Sequence, residues 1–217
     1  MITCCHCEGL ERQFGRRTAD RELRRFRRRG PSRTTRLLVD LARAEGVRGR
    51  TLLDIGGGVG AVHHLLLVAG ATTALHVDVS PEYLRAASDE AARLGHAERV
   101  RFLRGDFVET APELEQADVV TLDRVICCYP DMPALVGGAA EKARHVFAAV
   151  YPRETRFVRA GIALVNLAMR IRRSPFRVFL HPPPAIHAML VRHGFARRSL
   201  RRTVVWEVAV YARERPA

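Results

Sequence analysis

Asp54-Ile55-Gly56-Gly57-Gly58-Val59-Gly60 follows a short apolar run and precedes an apolar helical pattern. Glycines in that position allow a tight turn and let a ligand approach the backbone closely. The helix that follows would offer free N–H groups at its N-terminus to a polar or anionic ligand. A cofactor that joins an amino acid to a nucleoside suits such a turn. Asp78 stands 18 residues beyond Gly60, at the end of the next strand-like run. A carboxylate there can accept both hydroxyls of a ribose. Gly105-Asp106-Phe107 closes a third run. Asp106 can accept from an adenine amino group, and Phe107 can pack on the ring. Each feature also has a plainer reading: a structural glycine turn, a helix cap, an ordinary loop. Ser80 fills the cap better than Asp78 does. Together the three fall on the C-terminal ends of successive strands, where open α/β sheets bind ligands.

The elements that must position these residues are legible as a strand–helix rhythm. Thr51–Asp54, Thr73–Asp78, Val100–Leu103, Asp118–Leu122 and His145–Val150 read as buried strands. Between them, Ser80-Pro81 starts a helix that runs to Leu94 and stops at Gly95. Asp131 and Pro133 start another. Upstream, Ser32 or Thr34 caps a helix with the apolar stripe Leu37, Leu38, Leu41 and Ala44, stopped by Gly46. Residues 156–173 form a basic, apolar-striped helix, and Pro182-Pro183-Pro184 precedes a shorter one ending at Gly194. Phe195–Leu200 and Val204–Tyr211 are too close in sequence for anything but an antiparallel pair. The expected fold is α/β: a Rossmann-like sheet of seven strands, mostly parallel, with a C-terminal antiparallel hairpin and helices on both faces. Residues 1–30, rich in Cys and Arg, read as an N-terminal cap on a domain spanning 31–217.

Leu52-Leu53-Asp54-Ile55-Gly56-Gly57-Gly58-Val59-Gly60 resembles motif I of the class I S-adenosylmethionine-dependent methyltransferases. His76-Val77-Asp78-Val79-Ser80 resembles their acidic second-strand motif, Gly105-Asp106-Phe107 their adenine-contact motif, and Val119-Val120-Thr121-Leu122-Asp123 their fourth-strand motif. The likeness covers about residues 33–217. It implies a seven-stranded methyltransferase fold and S-adenosyl-L-methionine as cofactor. Asp54, Gly56, Gly58, Asp78, Asp106 and Phe107 would hold it, with Gly60, Val79 and Asp123 completing the site. The stretch from Asp123 to Tyr129 would lie near the transferred methyl group. Glu8-Gly9-Leu10-Glu11-Arg12-Gln13-Phe14 and Phe176-Arg177-Val178-Phe179-Leu180-His181 are similar, more distantly, to segments of magnesium-protoporphyrin IX O-methyltransferases.

His181 and Tyr129 are the candidates for a substrate-side acid or base. Methyl transfer is in-line displacement, so positioning supplies much of the catalysis. Cys4 and Cys7 have the spacing of a metal half-site, a weak one because zinc wants four ligands. No metal cofactor is expected on that basis. Cys127-Cys128 follows the fourth strand and can be a pair of small buried residues or a thiol contact for substrate or a soft metal. His63 and His64 read as surface or packing residues, with one of them facing the cofactor as the alternative. Arg21–Arg29 reads as a solvated face or as a clamp for substrate carboxylates.

The formal net charge of +13 favours anionic partners without choosing among them. No apolar run is long enough for a membrane span, and the first residues lack a secretory signal pattern, so a soluble, cytoplasmic protein is expected. The acceptor expected is a small molecule, with O-, N-, C- and S-methylation all open; a tetrapyrrole carboxylate and a thiol or metalloid-type substrate are two candidates. A nucleic-acid methyltransferase is the weaker enzyme alternative, because the place after the fourth strand lacks an Asn/Asp-Pro-Pro-aromatic motif. An NAD-dependent dehydrogenase fits Gly56-x-Gly58-x-x-Ala61 but leaves little chain for a second domain. A non-catalytic binding module of the same fold is the other alternative. Oligomeric state is not encoded in any feature above.

Overall fold

A computed structural model describes Gly9 and residues 13–213. Cys4, Cys5 and Cys7 lie outside the described residues, as do Glu8 and residues 10–12.

Five strands run parallel: β1 (Leu52–Ile55), β2 (Ala74–Asp78), β3 (Val100–Arg104), β4 (Ala117–Asp123) and β5 (Ala143–Pro152). β6 (Phe195–Arg202) and β7 (Trp206–Arg213) form an antiparallel hairpin, and β7 joins β5 antiparallel. The order across the sheet is β3-β2-β1-β4-β5-β7-β6. The expected seven-stranded α/β sheet is therefore the observed one. The chain reverses its direction of travel across the sheet between β1 and β4, which opens a crevice above their C-terminal ends.

Among the described residues, eight helices flank the sheet: α1 (Arg16–Arg29), α2 (Arg33–Ala44), α3 (Ala61–Val68), α4 (Pro81–Arg93), α5 (Phe107–Thr110), α6 (Met132–Lys142), α7 (Arg156–Ile171) and α8 (Pro183–Arg192). β5 shows why both faces are covered. Phe147, Ala149 and Tyr151 point into a core with Leu135 of α6 and Ile186 of α8. Val146, Ala148 and Val150 point into the opposite core with Leu38 of α2 and Leu66 of α3. A strand buried on both faces is continuously apolar, as this one is from Val146 to Pro152.

Short polar side chains set the helix starts. Ser32 Oγ accepts from Thr35 N at 3.1 Å, and Ser80 Oγ from Tyr83 N at 3.3 Å. Asp131 Oδ1 accepts from Ala134 N at 2.9 Å. α1 lies against α4: Arg27 Nε meets the buried Glu90 carboxylate at 2.7 Å, and Asp20 meets Arg85 at 2.6 Å. Ser80 Oγ donates to the Phe14 carbonyl at 2.8 Å, and Ala19 and Leu23 pack with Val59 and Tyr83.

Some boundaries differ from expectation. Val204 and Val205 belong to the hairpin turn rather than to β7, since Thr203 N donates to the Trp206 carbonyl at 2.8 Å and closes the turn. α7 ends at Ile171, two residues early, because Arg173 adopts a left-handed φ of 53°. The apolar stretch before His181 is irregular; Phe179 N donates to the Cys127 carbonyl at 2.7 Å, outside any ladder.

Candidate active site

A cavity of about 610 Å³ opens at the C-terminal ends of the central strands. β1 delivers the glycine turn to it. Gly58 sits there at a left-handed φ of 56° and donates its N–H to Asp78 Oδ2 at 3.1 Å. The other oxygen of Asp78 accepts from Ser80 N at 2.9 Å. Asp78 thus ties the end of β2 to the turn while lining the cavity. A Cβ on Gly57 would stand 2.5 Å from Asp54 Oδ2, so this position cannot carry a side chain without displacing the buried carboxylate. The result is a bare backbone cradle with a carboxylate at its side, a donor and acceptor set that fits a nucleoside bearing an amino acid.

Two expected cofactor residues stand elsewhere. Asp54 is fully buried beneath the turn and does not line the cavity. Its Oδ1 accepts from Thr121 Oγ1 at 2.7 Å, and its Oδ2 lies 2.9 Å from His63 Nδ1. Burial by itself would raise the Asp54 pKa, but the hydrogen bonds from His63 and Thr121 bring it below the usual value. Gly60 also lies off the cavity wall; it caps α3 with a left-handed φ of 80°. Both residues shape the turn because the strand has already turned inward at Asp54, whose side chain follows the pleat into the core.

The histidines behind the turn are buried, contrary to the surface reading of His63 and His64 as one option. Burial lowers the pKa of His63, and takes that of His64 down to about 3 with help from His63 and His96. His64 Nδ1 and His96 Nδ1 are 3.3 Å apart. Donor atoms of Asp54, His63 and His76 lie within 4.8 Å of one another, the only such grouping with metal-ligand chemistry among the described residues. Asp54 and His63 already use each other as partners.

On the far wall, Asp106 caps α5 by accepting from Val108 N at 2.9 Å. Tyr129 Oη donates to its two oxygens at 3.2 and 3.1 Å. Asp106, Phe107 and Tyr129 all line the cavity, as do Gly56, Val79 and Asp123. Asp123 accepts from Thr35 Oγ1 at 2.5 Å and from Arg124 Nε at 3.1 Å. Arg124 has a left-handed φ of 65°, a conformation that L side chains adopt at a cost. This bend throws Cys127 and Cys128 onto the cavity wall, their Sγ atoms 3.9 Å apart. A hydrogen bond from Cys128, aided by Arg124, lowers the Cys127 pKa despite its burial. The same contact, with burial, raises that of Cys128.

His181 is not part of the wall. Its Nε2 lies 2.8 Å from the Tyr129 carbonyl, which can only accept, and its ring stacks on Phe179. That geometry spends the ring nitrogen nearest the site on positioning Tyr129. Among the described residues, no arginine between 21 and 29 lines the cavity either, so the carboxylate-clamp reading of that run finds no support there.

The sequence suggested a cap over residues 1–30 but not which residues roof the cavity. Phe14 and Glu22 reach the cavity from the N-terminal segment, and Phe157, Ile162 and Val165 reach it from α7. Glu22 was marked as unusual by standing alone among the arginines of 21–29. Nothing local marked the α7 residues as cavity-facing.

Residues 52–146 match the family described as "Methyltransferase domain". Ribosomal protein L11 methyltransferase of Klebsiella pneumoniae is 32% identical over 91 residues, covering 42% of this chain and 30% of that protein. The corresponding protein of Tolumonas auensis is 27% identical over 109 residues, covering 50% and 36%. The chain thus matches about a third of the length of these curated relatives. Among solved structures, magnesium protoporphyrin IX methyltransferase from Synechocystis PCC 6803, with bound SAH, superposes with a TM-score of 0.74 at 17% identity, over 96% of this chain and 100% of that one. An O-methyltransferase family protein from Burkholderia thailandensis gives 0.70 at 21% identity, over 91% and 60%. The fold is that of the class I S-adenosylmethionine-dependent methyltransferases. The match to that family runs from β1 into β5.

Proposed function

We propose that the protein is an S-adenosylmethionine-dependent methyltransferase acting on a small-molecule acceptor. One observation carries this reading: the glycine turn, Asp78, Asp106 and Phe107 meet on one cavity whose opposite side is apolar. The cofactor would supply an electrophilic methyl group on a sulfonium. Asp78 would accept its ribose hydroxyls, exchanging the Gly58 contact for them. Asp106 would accept from the adenine amino group, with Phe107 against the ring. Gly56 and Gly58 let the amino-acid portion lie against the backbone, and Asp123 stands at the end of β4 beside the methyl position.

The chain's own groups then orient the acceptor and handle its proton. Displacement needs the acceptor atom in line with the breaking bond, and the apolar roof excludes the water that would compete. Tyr129, held by Asp106 and by His181 through its own carbonyl, would manage a proton at its hydroxyl. The described part of the N-terminal segment, residues 13–30, acts as a cap, since Phe14 and Glu22 reach the cavity. A tetrapyrrole carboxylate is the favoured acceptor type. It is supported by the superposition over the full length of a protein whose name carries that activity, and by the apolar roof. The paired thiols favour a thiol-binding acceptor as the second reading.

Calorimetric titration with S-adenosylmethionine and with NADH tests the class. Binding of the former alone, weakened in Asp78→Asn with melting temperature maintained, is expected. NADH binding would move the chain to the dehydrogenases. Cofactor binding without transfer to any acceptor would leave a binding module.

A further inference from the structure

α7 is a helix with one fully buried residue, Val158. Phe157, Leu164 and Ile171 recur every seven positions and are 72%, 67% and 75% exposed. Leu167, 52% exposed, and the exposed Ala160 lie between them, so a single apolar stripe runs the length of the helix. No charged residue occurs from 160 to 169. Arginines stand at both ends: Arg156 and Arg159 at one, Arg170, Arg172 and Arg173 at the other. No Asp or Glu occurs between Glu154 and Glu207. The hairpin turn adds Val204, 74% exposed, next to Val205 and Trp206 of the cavity wall.

Monomeric proteins rarely leave so continuous an apolar surface in water. The adjoining side of α7, through Val158, Gly161, Ile162 and Val165, roofs the cavity, and Phe157 at its first turn belongs to both surfaces. Among the described residues, no helix is long and apolar enough to cross a bilayer. A helix with an apolar stripe and cationic ends suits the plane of a bilayer surface instead. Its arginine stems can lie along the acyl boundary while their heads reach phosphate. A second copy of the chain fits poorly. Antiparallel pairing of two α7 helices would set Arg156 and Arg159 against Arg170, Arg172 and Arg173 of the partner, and the one carboxylate beside them, Glu154, pairs with Arg159 alone at 2.8 Å.

We infer that α7 and the β6–β7 turn dock the protein on the surface of an anionic phospholipid bilayer, with the cavity roof facing the lipid. Docking stands on the helix alone. Its consequence for substrate rests on the methyltransferase reading: the acceptor would be an amphiphile that partitions into the bilayer and enters the cavity past α7.

The test is flotation of the full chain with vesicles of phosphatidylcholine alone and of phosphatidylcholine mixed with phosphatidylglycerol. Two variants accompany it. Leu164→Ser/Leu167→Ser/Ile171→Ser keeps every charge, and Arg170→Glu/Arg172→Glu/Arg173→Glu keeps the stripe. Binding to the mixed vesicles, weakened about tenfold or more in each variant, is expected because insertion and charge act together. Cofactor titration of the serine variant should match wild type, since none of its three positions lines the cavity. Three results would overturn docking: no flotation of folded protein, flotation unchanged in the serine variant, or self-association abolished by the same substitutions. Docking without S-adenosylmethionine binding would retire the substrate consequence and leave the surface assignment intact.

Discussion

His63 Nδ1 lies 2.9 Å from the Asp54 carboxylate in the core directly beneath the glycine turn, with both side chains almost wholly removed from solvent. The residue that opens the turn is therefore held by α3, the helix that closes it. Thr121 on β4 holds the other oxygen. The turn is clamped from below by two separate elements, α3 and β4, which keeps its backbone in place while its upper face stays bare.

Substituting Asp54 tests that clamp. Asp54→Ala strands the His63 and Thr121 donors in the core. The expected cost is about 1–3 kcal/mol per unsatisfied buried donor, read from urea unfolding. Cofactor affinity should fall with it, although the side chain faces away from the cavity. Unchanged stability would show that the clamp does not hold the turn.

Gly57→Ala should be disproportionately damaging for one methyl group. Its Cβ meets Asp54 Oδ2 at 2.5 Å and the His76 ring at 3.0 Å. Overpacking of this kind costs about 1–3 kcal/mol, measured as a drop in melting temperature. Gly46→Ala is a useful contrast. That position also has a left-handed φ but open space around it, so only backbone strain should register.

Acid should destabilise the fold earlier than its carboxylates alone would. His64 stays neutral in the native state down to about pH 3, because burial lowers its pKa from the usual 6.5. The unfolded chain binds that proton at about pH 6.5. Between these values the unfolded state carries more protons, so stability is complete above this window and declines as pH falls through it. The slope is up to about 1.4 kcal/mol per pH unit for each such histidine. His63 shifts in the same direction and adds to it. Unfolding measured between pH 7 and 5 should show the decline, and His64→Phe should flatten it.

Tyr129→Phe removes the hydroxyl from the Asp106 carboxylate. An acid–base role predicts a fall in kcat on the order of 100-fold and loss of one limb of the pH–rate profile. His181→Ala removes only the hydrogen bond to the Tyr129 carbonyl. A smaller loss with the pH profile retained is expected. An equal loss in both variants, with the same profile change, would restore His181 as the reacting group.

The paired thiols offer a direct probe of the cavity. Peptide-resolved alkylation should label Cys127 and Cys128, and S-adenosylmethionine should slow it if the methyl position is beside them. Labelling at an unchanged rate with bound cofactor would separate the thiols from the site.

Much of the frame was written in contiguous residues. Ser80-Pro81 and Asp131 fix where helices begin because capping is a contact over three residues. The alternation in β5 sorts side chains onto two faces because the pleat has a period of two. The glycine turn, Asp78, Asp106 and Phe107 were legible for the same reason, since each sits at a strand end that local pattern defines. What tertiary structure alone decided involves residues distant in sequence. Asp54 proved to be a buried support because α3 and β4 close over it, and His63, His64, His76 and His96 became a core cluster only when β2 and α4 packed beside β1. The roof is the same case: Phe14 and Glu22 meet Phe157 and Ile162 across more than half the chain. Local periodicity shows that a helix has an apolar stripe; which neighbour covers it, or that none does, is set by how the sheet order brings the helices together.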